Sequence, residues 1–205
     1  MLFFLLLAWI IIDINYPFKT DIGKIDAAET ARLDGAMWKS YYEKKPIKLF
    51  MQSRKLLRSQ FHMPFFRSCL VSYYAAKAAF VFKDGQNRND YKKAMPYLVK
   101  YYNHINAVSK MPFDADTAAA AELEWWIIRR ERAQHPPGEW EQWLAKTASV
   151  VYHKPADKFK DYARLRVEAM LLRDEKGDMI TEDNWQKIDH LLRDAWLSFS
   201  KAVEE

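Results

Sequence analysis

The sequence predicts an all-α protein, and three observations support this. Apolar residues recur at helical spacing, and no segment shows the sustained apolar–polar alternation that a half-buried strand needs. Seven of the eight prolines and four of the five glycines fall at predicted helix boundaries or in the early linker. Asp26 and Asp114 stand where helix N-caps are expected. We therefore expect a single helical bundle of about seven to eight helices, preceded by an apolar N-terminal helix.

An irregular array of α-hairpin repeats is the alternative architecture. Hairpins beginning near Asp26, Pro64, Asp114 and Pro155 are separated by 38, 50 and 41 residues. Because these spacings are irregular and no residue pattern was found to repeat with them, the bundle is favoured over the repeat array.

Three segments organise the chain: an apolar N-terminal anchor helix with an interfacial end (1–18), a linker (19–25) and an all-α body (26–205). Every residue from Leu2 to Ile12 is apolar. Asp13 interrupts this run before the roughly 17 to 20 apolar residues that a spanning helix usually needs. No basic residue precedes the run, and no small-residue cleavage site follows it. We expect an uncleaved membrane anchor rather than a helix buried against the body.

Helices of the body are expected between successive breaks in the sequence. Pro46 and Pro64 suit the beginnings of two of them, since a proline there removes only an N–H that has no helical partner. Pro96 predicts a kink or a late start in the helix that contains it. The predicted ranges are 26–45, 46–62, 64–83, 89–111, 114–135, 139–154, 155–177 and 181 onward.

Composition and charge narrow the classes of function. The net charge is +5, half of the residues are apolar, and the single cysteine excludes an intrachain disulfide framework and a Cys-rich zinc module. The stretch from Lys44 to Lys83 contains nine Lys or Arg residues and no Asp or Glu. The excess positive charge therefore belongs to this region, and it favours an anionic partner.

The first half of this basic stretch predicts an amphipathic helix. An apolar face can be formed by Ile47, Leu49 or Phe50, Leu56 or Leu57, and Phe61, with the cations mostly elsewhere. Beside an apolar N-terminus, such a helix suits an anionic lipid surface. Pairing with acids from other helices is the alternative, and the absence of a nucleic-acid-binding motif disfavours nucleic acid. The predicted membrane-surface or anion-binding residues are Lys44, Lys45, Lys48, Arg54, Lys55, Arg58 and Arg67.

Strong catalytic signatures are absent from the sequence. It contains no GxxxxGK[ST] phosphate loop, GxGxxG, HExxH, CxxC or GxSxG motif. Glycine is also too scarce for a Gly-rich loop, which needs residues without a Cβ to approach a phosphate closely. We therefore expect no cofactor, and the sequence identifies no reaction.

Interior carboxylates are the candidate chemical groups. Glu122 lies in AAAAELEWWIIRR, a segment that is apolar nearly all round. Glu29 and Glu168 lie on other predicted helices, so the three could converge as a catalytic cluster, with His153 as a weak candidate metal ligand. Ion pairing between Glu and Arg is the leading interpretation, because buried charges need partners.

Two functional hypotheses follow. The first is a membrane-tethered helical interaction or scaffold protein whose partner is an anionic lipid surface, with a protein partner as an alternative. Since the Lys and Arg residues follow the apolar run, we expect the body on the cytoplasmic side. The second is a carboxylate-based enzyme, with or without a metal, or a ligand-binding bundle that uses Glu29, Glu122 and Glu168.

Overall fold

Helices account for nearly all of the regular structure, and prolines and polar caps begin most of them. The computed structural model describes residues 2–205, so Met1, the first residue of the predicted anchor segment, lies outside the described residues. Within that range there are ten α-helices and no β-strand, which confirms the all-α prediction. The helices are α1 Leu2–Asn15, α2 Ala27–Tyr42, α3 Pro46–Gln60, α4 Phe65–Asp84, α5 Arg88–Tyr91, α6 Met95–Val108, α7 Ala115–Arg130, α8 Glu139–Tyr152, α9 Lys160–Lys176 and α10 Glu182–Glu204.

Local capping explains several of these boundaries. The Asp26 carboxylate accepts a hydrogen bond from the Glu29 backbone N–H, and Asp114 caps α7 in the same way. Thr181 and Asn184 form a reciprocal capping box at the start of α10. These bonds satisfy backbone donors that have no partner within the helix.

The helix that contains Pro96 begins later than residue 89 and has no kink at the proline. The predicted helix over 89–111 is divided into the single turn α5, a 3₁₀ turn over Lys92–Ala94 and α6. Pro96 lies in the first turn of α6, where its missing N–H breaks no helical hydrogen bond.

The eight long helices of the body form a closed succession. Leaving aside the one-turn α5, each helix from α2 onward packs against the next long helix, and α10 returns to pack against α2. Buried apolar side chains form one cluster mainly between α4, α6 and α7, and a second mainly between α8, α9 and α10 with a contribution from α7. A third cluster joins α9 to α10 beside α2. Side chains that point towards the middle of this ring are therefore surrounded by several helices.

The end of α1 is fixed to the start of α4. The Asp13 carboxylate accepts hydrogen bonds from the backbone N–H groups of Phe66 and Arg67, at 2.6 and 3.2 Å. The Arg67 side chain is 4% exposed and donates to the carbonyl oxygens of Ile14 and Tyr16. We call these contacts the α1–α4 latch. The prediction of Arg67 as a surface cation is therefore wrong, because its guanidinium satisfies backbone carbonyls where α1 ends.

The segment between α1 and α2 is also held on the body. Thr20 accepts a hydrogen bond from the Lys110 backbone N–H at 2.9 Å and donates its own N–H to the Val108 carbonyl at 2.7 Å. Ile22 is buried in the first apolar cluster. The position where α1 leaves the body is thus fixed from both sides.

Most of α1 itself lies outside the core. Its large apolar side chains from Phe3 to Leu7, with Trp9, Ile11 and Ile12, are all exposed. At about 1.5 Å per residue, its 14 residues extend for about 21 Å. Among the described residues, no helix combines the length and apolar character needed to cross a membrane.

We predict that Arg67→Leu loosens the α1–α4 latch. The substitution removes the donors to the Ile14 and Tyr16 carbonyls, and each lost hydrogen bond costs about 1 kcal/mol. Hydrogen–deuterium exchange of residues 14–18 should then accelerate by about thirtyfold, which corresponds to about 2 kcal/mol. Lys83→Leu, at the other end of α4, is the control and should leave this exchange unchanged. Equal protection in both variants would contradict the latch.

Candidate functional site

A buried ion pair occupies the middle of the ring. Arg166 of α9 forms a salt bridge with Asp34 of α2, and both side chains are largely buried. The indole Nε1 of Trp196 also donates to the Asp34 carboxylate, at 2.9 Å. Burial is the largest single influence on Arg166 and opposes its charged form, but the charge and hydrogen bond of Asp34, together with Tyr162 and Glu122, outweigh burial and raise the Arg166 pKa. Asp34 is therefore closed off by two partners from two other helices.

Aromatic rings surround the Arg166 guanidinium. Its Cζ atom lies 5.5 to 5.6 Å from the ring centroids of Trp38, Tyr162 and Trp196. Cation–π contacts of this kind are worth more when the cation is removed from water. These three aromatic rings therefore contact the Arg166 side chain.

Glu122 of α7 is held differently, by neutral donors. Its Oε2 atom accepts from the Tyr102 hydroxyl at 3.1 Å and from Trp125 Nε1 at 2.9 Å, and its Oε1 atom accepts from Trp126 Nε1 at 3.0 Å. Burial raises the pKa of Glu122, although these three hydrogen bonds partly oppose the shift. Within residues 2–205 the carboxylate forms no ion pair. It is thus a partly buried carboxylate whose charge has no direct cationic partner.

Helices α2 and α7 share a residue pattern that the sequence analysis missed. Each has an aspartate N-cap, an acidic residue eight positions later and a tryptophan four positions after that. These residues are Asp26, Asp34 and Trp38 in α2, and Asp114, Glu122 and Trp126 in α7. The spacing places the acid and the tryptophan on one helix face, pointing inwards. The pattern was detectable by comparing the two segments directly, and it identifies the two interior acids.

Three further tyrosines approach this interior cluster. They are Tyr101 of α6, Tyr152 of α8 and Tyr162 of α9. Burial raises the pKa of each phenol, to about 12 for Tyr162. None of the three hydroxyls forms a hydrogen bond to another described residue. Because they stay protonated at neutral pH, they can donate hydrogen bonds but cannot act as general bases.

The structure does not bring the predicted carboxylate cluster together. Glu29 lies at the surface, where Arg32 donates to both of its oxygens at 2.6 and 2.7 Å. Glu168 is exposed and lies 3.6 Å from Arg164. Only Glu122 is interior. The expected convergence of all three is corrected, because Glu29 and Glu168 lie on outward faces of their helices.

His153 is a helix terminus residue rather than part of a metal cluster. It has a left-handed backbone conformation (φ 54°) after the end of α8. Its Nε2 atom forms a hydrogen bond of 2.8 Å with the Pro112 carbonyl oxygen. The described part of the chain contains no group of three or more His, Cys, Asp or Glu side chains that could hold a metal ion.

A second polar cluster joins α2, α7 and α9. Arg129 donates to both carboxylate oxygens of Asp174, at 3.2 and 2.7 Å, and to the Tyr42 hydroxyl at 2.8 Å. Arg173 stacks on the Tyr42 ring with its Cζ atom 3.8 Å from the centroid. This network supports the interpretation that most interior charges are structural.

The predicted membrane-surface cations in and just before α3 remain at or near the surface, whereas Arg67 of α4 does not. Lys44, Lys45, Lys48, Lys55 and Arg58 are exposed, Arg54 is half-buried and Arg67 is buried in the α1–α4 latch. The predicted apolar face of α3 is partly wrong, since Ile47 is 80% exposed whereas Leu57 is buried. The outer face of α3 therefore combines cations with an exposed apolar residue.

No protein-family model matches the chain, and searches of curated proteins and of solved structures also found no match.

We predict that Asp34→Ala destabilises the fold by about 3 to 5 kcal/mol, because it leaves the Arg166 charge buried without its carboxylate. Urea denaturation measures this loss. Glu168→Ala removes an exposed acid and serves as the control, with an expected loss of no more than about 1 kcal/mol. The double variant Asp34→Leu/Arg166→Met should lose less than Asp34→Ala. Similar losses for Asp34→Ala and Glu168→Ala would argue against the central role of the pair.

We predict that Glu122 makes the protein relatively more stable at acidic pH. An acid whose pKa is raised on folding stabilises the fold fully below its unfolded-state pKa, and this contribution is lost as pH rises through the folded-state pKa. The free energy of unfolding of the wild type, minus that of Glu122→Gln, should therefore increase from neutral to mildly acidic pH. Urea denaturation across this range measures the difference.

Glu29→Gln provides the control of opposite sign. The hydrogen bond from Arg32 lowers the Glu29 pKa to about 2, so its contribution is present at neutral pH and is lost on acidification. The corresponding difference should decrease as the pH falls. If the two variants respond in the same direction, the assignment of a raised pKa to Glu122 is incorrect.

Proposed function

We propose that the protein is a membrane-attached helical interaction protein, in which α1 inserts into lipid and the ring of helices forms a scaffold at the membrane surface. The observation that carries this proposal is the exposure of most apolar side chains of α1, although one side of the helix packs against α4. A helix that is apolar all round normally lies in a core or in a membrane. Here the protein core does not cover most of it.

The exposed apolar side chains of α1 indicate that another molecule covers them. Phe4 is 73% exposed and Leu6 is 47% exposed, although their side chains point to nearly opposite sides of α1. Large contiguous apolar patches on monomers mark interaction sites for proteins or membranes. Because the exposed part of α1 has no polar face, a lipid environment can cover all of that part, whereas a single protein groove covers one side.

Aromatic contacts connect α1 to the basic face of α3, which supports lipid as the partner. Trp9 packs edge-on against Phe66, with ring centroids 5.0 Å apart, and Phe66 packs against Phe65 at 5.1 Å. Arg54 and Arg58 lie over the Phe65 ring. We call this continuous apolar and cationic region the α1–α3 surface. Its charge complements anionic headgroups that border an inserted α1.

The α1–α4 latch supports a fixed orientation of the body. Asp13 and Arg67 hold the end of α1 against α4, so the cations of α3 would stay beside the point of insertion. Basic residues that follow an apolar segment favour the cytoplasmic side. The proposal therefore includes a body on the cytoplasmic face of the membrane.

Ligand binding inside the ring is the second candidate function. The observation that favours it is Glu122, which lacks a cationic partner and lies in the same interior cluster as Tyr101 and Tyr162, whose hydroxyls are free. This arrangement suits recognition by hydrogen bonding better than proton abstraction. The scaffold would then bind a small molecule inside the ring, and the proposal that α1 inserts into lipid would be unchanged.

We predict that Phe4→Ser/Ile11→Ser abolishes most binding to vesicles of phosphatidylcholine with phosphatidylserine. Burial of each apolar side chain stabilises membrane binding by about 1.5 to 3 kcal/mol, so the double variant should bind about 100-fold more weakly or worse. Both side chains are exposed, so the body should remain folded. Vesicle co-sedimentation measures the partition coefficient.

The control is Met179→Ser, which removes an apolar side chain that is 82% exposed in the turn before α10. It should bind vesicles like the wild type. Sedimentation velocity without lipid tests the competing explanation, in which a second copy covers α1. A concentration-dependent dimer that does not bind vesicles would overturn the membrane proposal.

A further inference from the structure

The outer face of α3 carries a groove that is lined by cations and lacks any carboxylate. Its volume is about 570 Å³. The lining residues are Lys48, Met51, Gln52, Arg54, Lys55, Arg58 and Ser59. Four of the seven are Lys or Arg, so the groove concentrates positive charge on one side of α3. Like charges three or four residues apart on a helix destabilise it unless an anion binds between them.

Most of this charge has no partner within the protein. Lys55 lies 3.5 Å from Glu29, but that carboxylate already accepts both hydrogen bonds from Arg32. In the part of the chain that the structure describes, Lys48, Arg54 and Arg58 form no ion pair. The groove therefore has an unbalanced positive charge that a bound anion would neutralise.

Two of the cations are positioned in advance. The Cζ atoms of Arg54 and Arg58 lie 4.6 and 5.6 Å from the centroid of the Phe65 ring. The Nε–H of Arg54 is buried and has no acceptor. Stacking on one ring holds the two guanidinium groups close together, and each can bind a phosphate through paired N–H donors. The arrangement thus suits an anion with more than one phosphate.

Apolar residues beside the groove indicate how that anion is presented. Met51 lines the groove and is 48% exposed, and Ile47 projects one turn before it. Exposed apolar side chains between cations are typical of helices that lie at a lipid interface. Phe65 also connects the groove to Phe66 and so to α1.

We propose that this groove binds the headgroup of a lipid that carries two or more phosphates on an inositol ring. The inference rests on the proposed membrane attachment and adds the class of lipid to it. Arg54 and Arg58 contact the phosphates by bidentate hydrogen bonds, and Lys48 and Lys55 contribute point charges. Met51 and Ile47 enter the interfacial region of the bilayer.

The first arm of the test uses a soluble probe, inositol hexakisphosphate, with the full chain. Isothermal titration calorimetry should show binding that weakens by about tenfold or more in Arg54→Gln/Arg58→Gln. The control, Lys187→Gln/Lys201→Gln, removes the same charge from exposed positions on α10 and should bind like the wild type. Equal weakening in the two double variants would overturn the groove as the binding site.

The second arm compares vesicles with equal surface charge from phosphatidylinositol bisphosphate or from phosphatidylserine. We expect about tenfold tighter binding to the former, and loss of this preference in Arg54→Gln/Arg58→Gln. Equal binding to both vesicles would overturn the headgroup inference and leave the membrane proposal standing. Binding of the soluble probe without vesicle binding would indicate a free polyphosphate and overturn both. Tighter binding to a short RNA than to the soluble probe would also overturn the headgroup inference.

Discussion

The rest of the interior depends on the burial of Arg166. A guanidinium removed from water must keep a carboxylate and hydrogen-bond partners, or the fold loses several kcal/mol. Asp34 supplies the charge from α2, while Trp196 of α10 donates to the same carboxylate. Three helices therefore meet at one ion pair, and the closure of α10 on α2 brings them together. The Arg166–Asp34 ion pair therefore fixes the position of α9, in addition to apolar packing.

The same constraint separates the roles of the two interior acids. Asp34 and Glu122 occupy equivalent positions in α2 and α7, each eight residues after an aspartate N-cap. Arg166 neutralises Asp34, whereas Glu122 is held only by hydroxyl and indole donors. Donors without charge stabilise a carboxylate less than a guanidinium does, so burial prevails and raises the Glu122 pKa. Glu122 is therefore the interior acid whose pKa burial raises.

The surface formed by α1 and α3 differs from the interior, because it exposes apolar and basic side chains together. The core leaves most of α1 uncovered, and the α1–α4 latch holds its end beside the cationic face of α3. Phe65 and Phe66 connect the two regions through ring contacts. A body closed by its own ion pairs thus presents one surface on which apolar and basic groups remain without protein partners. The exposed apolar side chains of α1 beside the cations of α3 are the physical basis of the proposed membrane attachment.

Local chemistry in the sequence determined the helices, because prolines, polar caps and apolar spacing act within a few residues. Asp26, Pro46 and Thr181 begin their helices as predicted, and the apolar run after Met1 forms α1. The tertiary structure alone decided which charges are buried. Arg67 and Arg58 both belong to the basic stretch, yet Arg67 binds the carbonyls of α1 and Arg58 stays exposed. Pairing between residues far apart in the chain, such as Arg166 with Asp34, depends on how helices meet, and spacing along one helix contains no information about it.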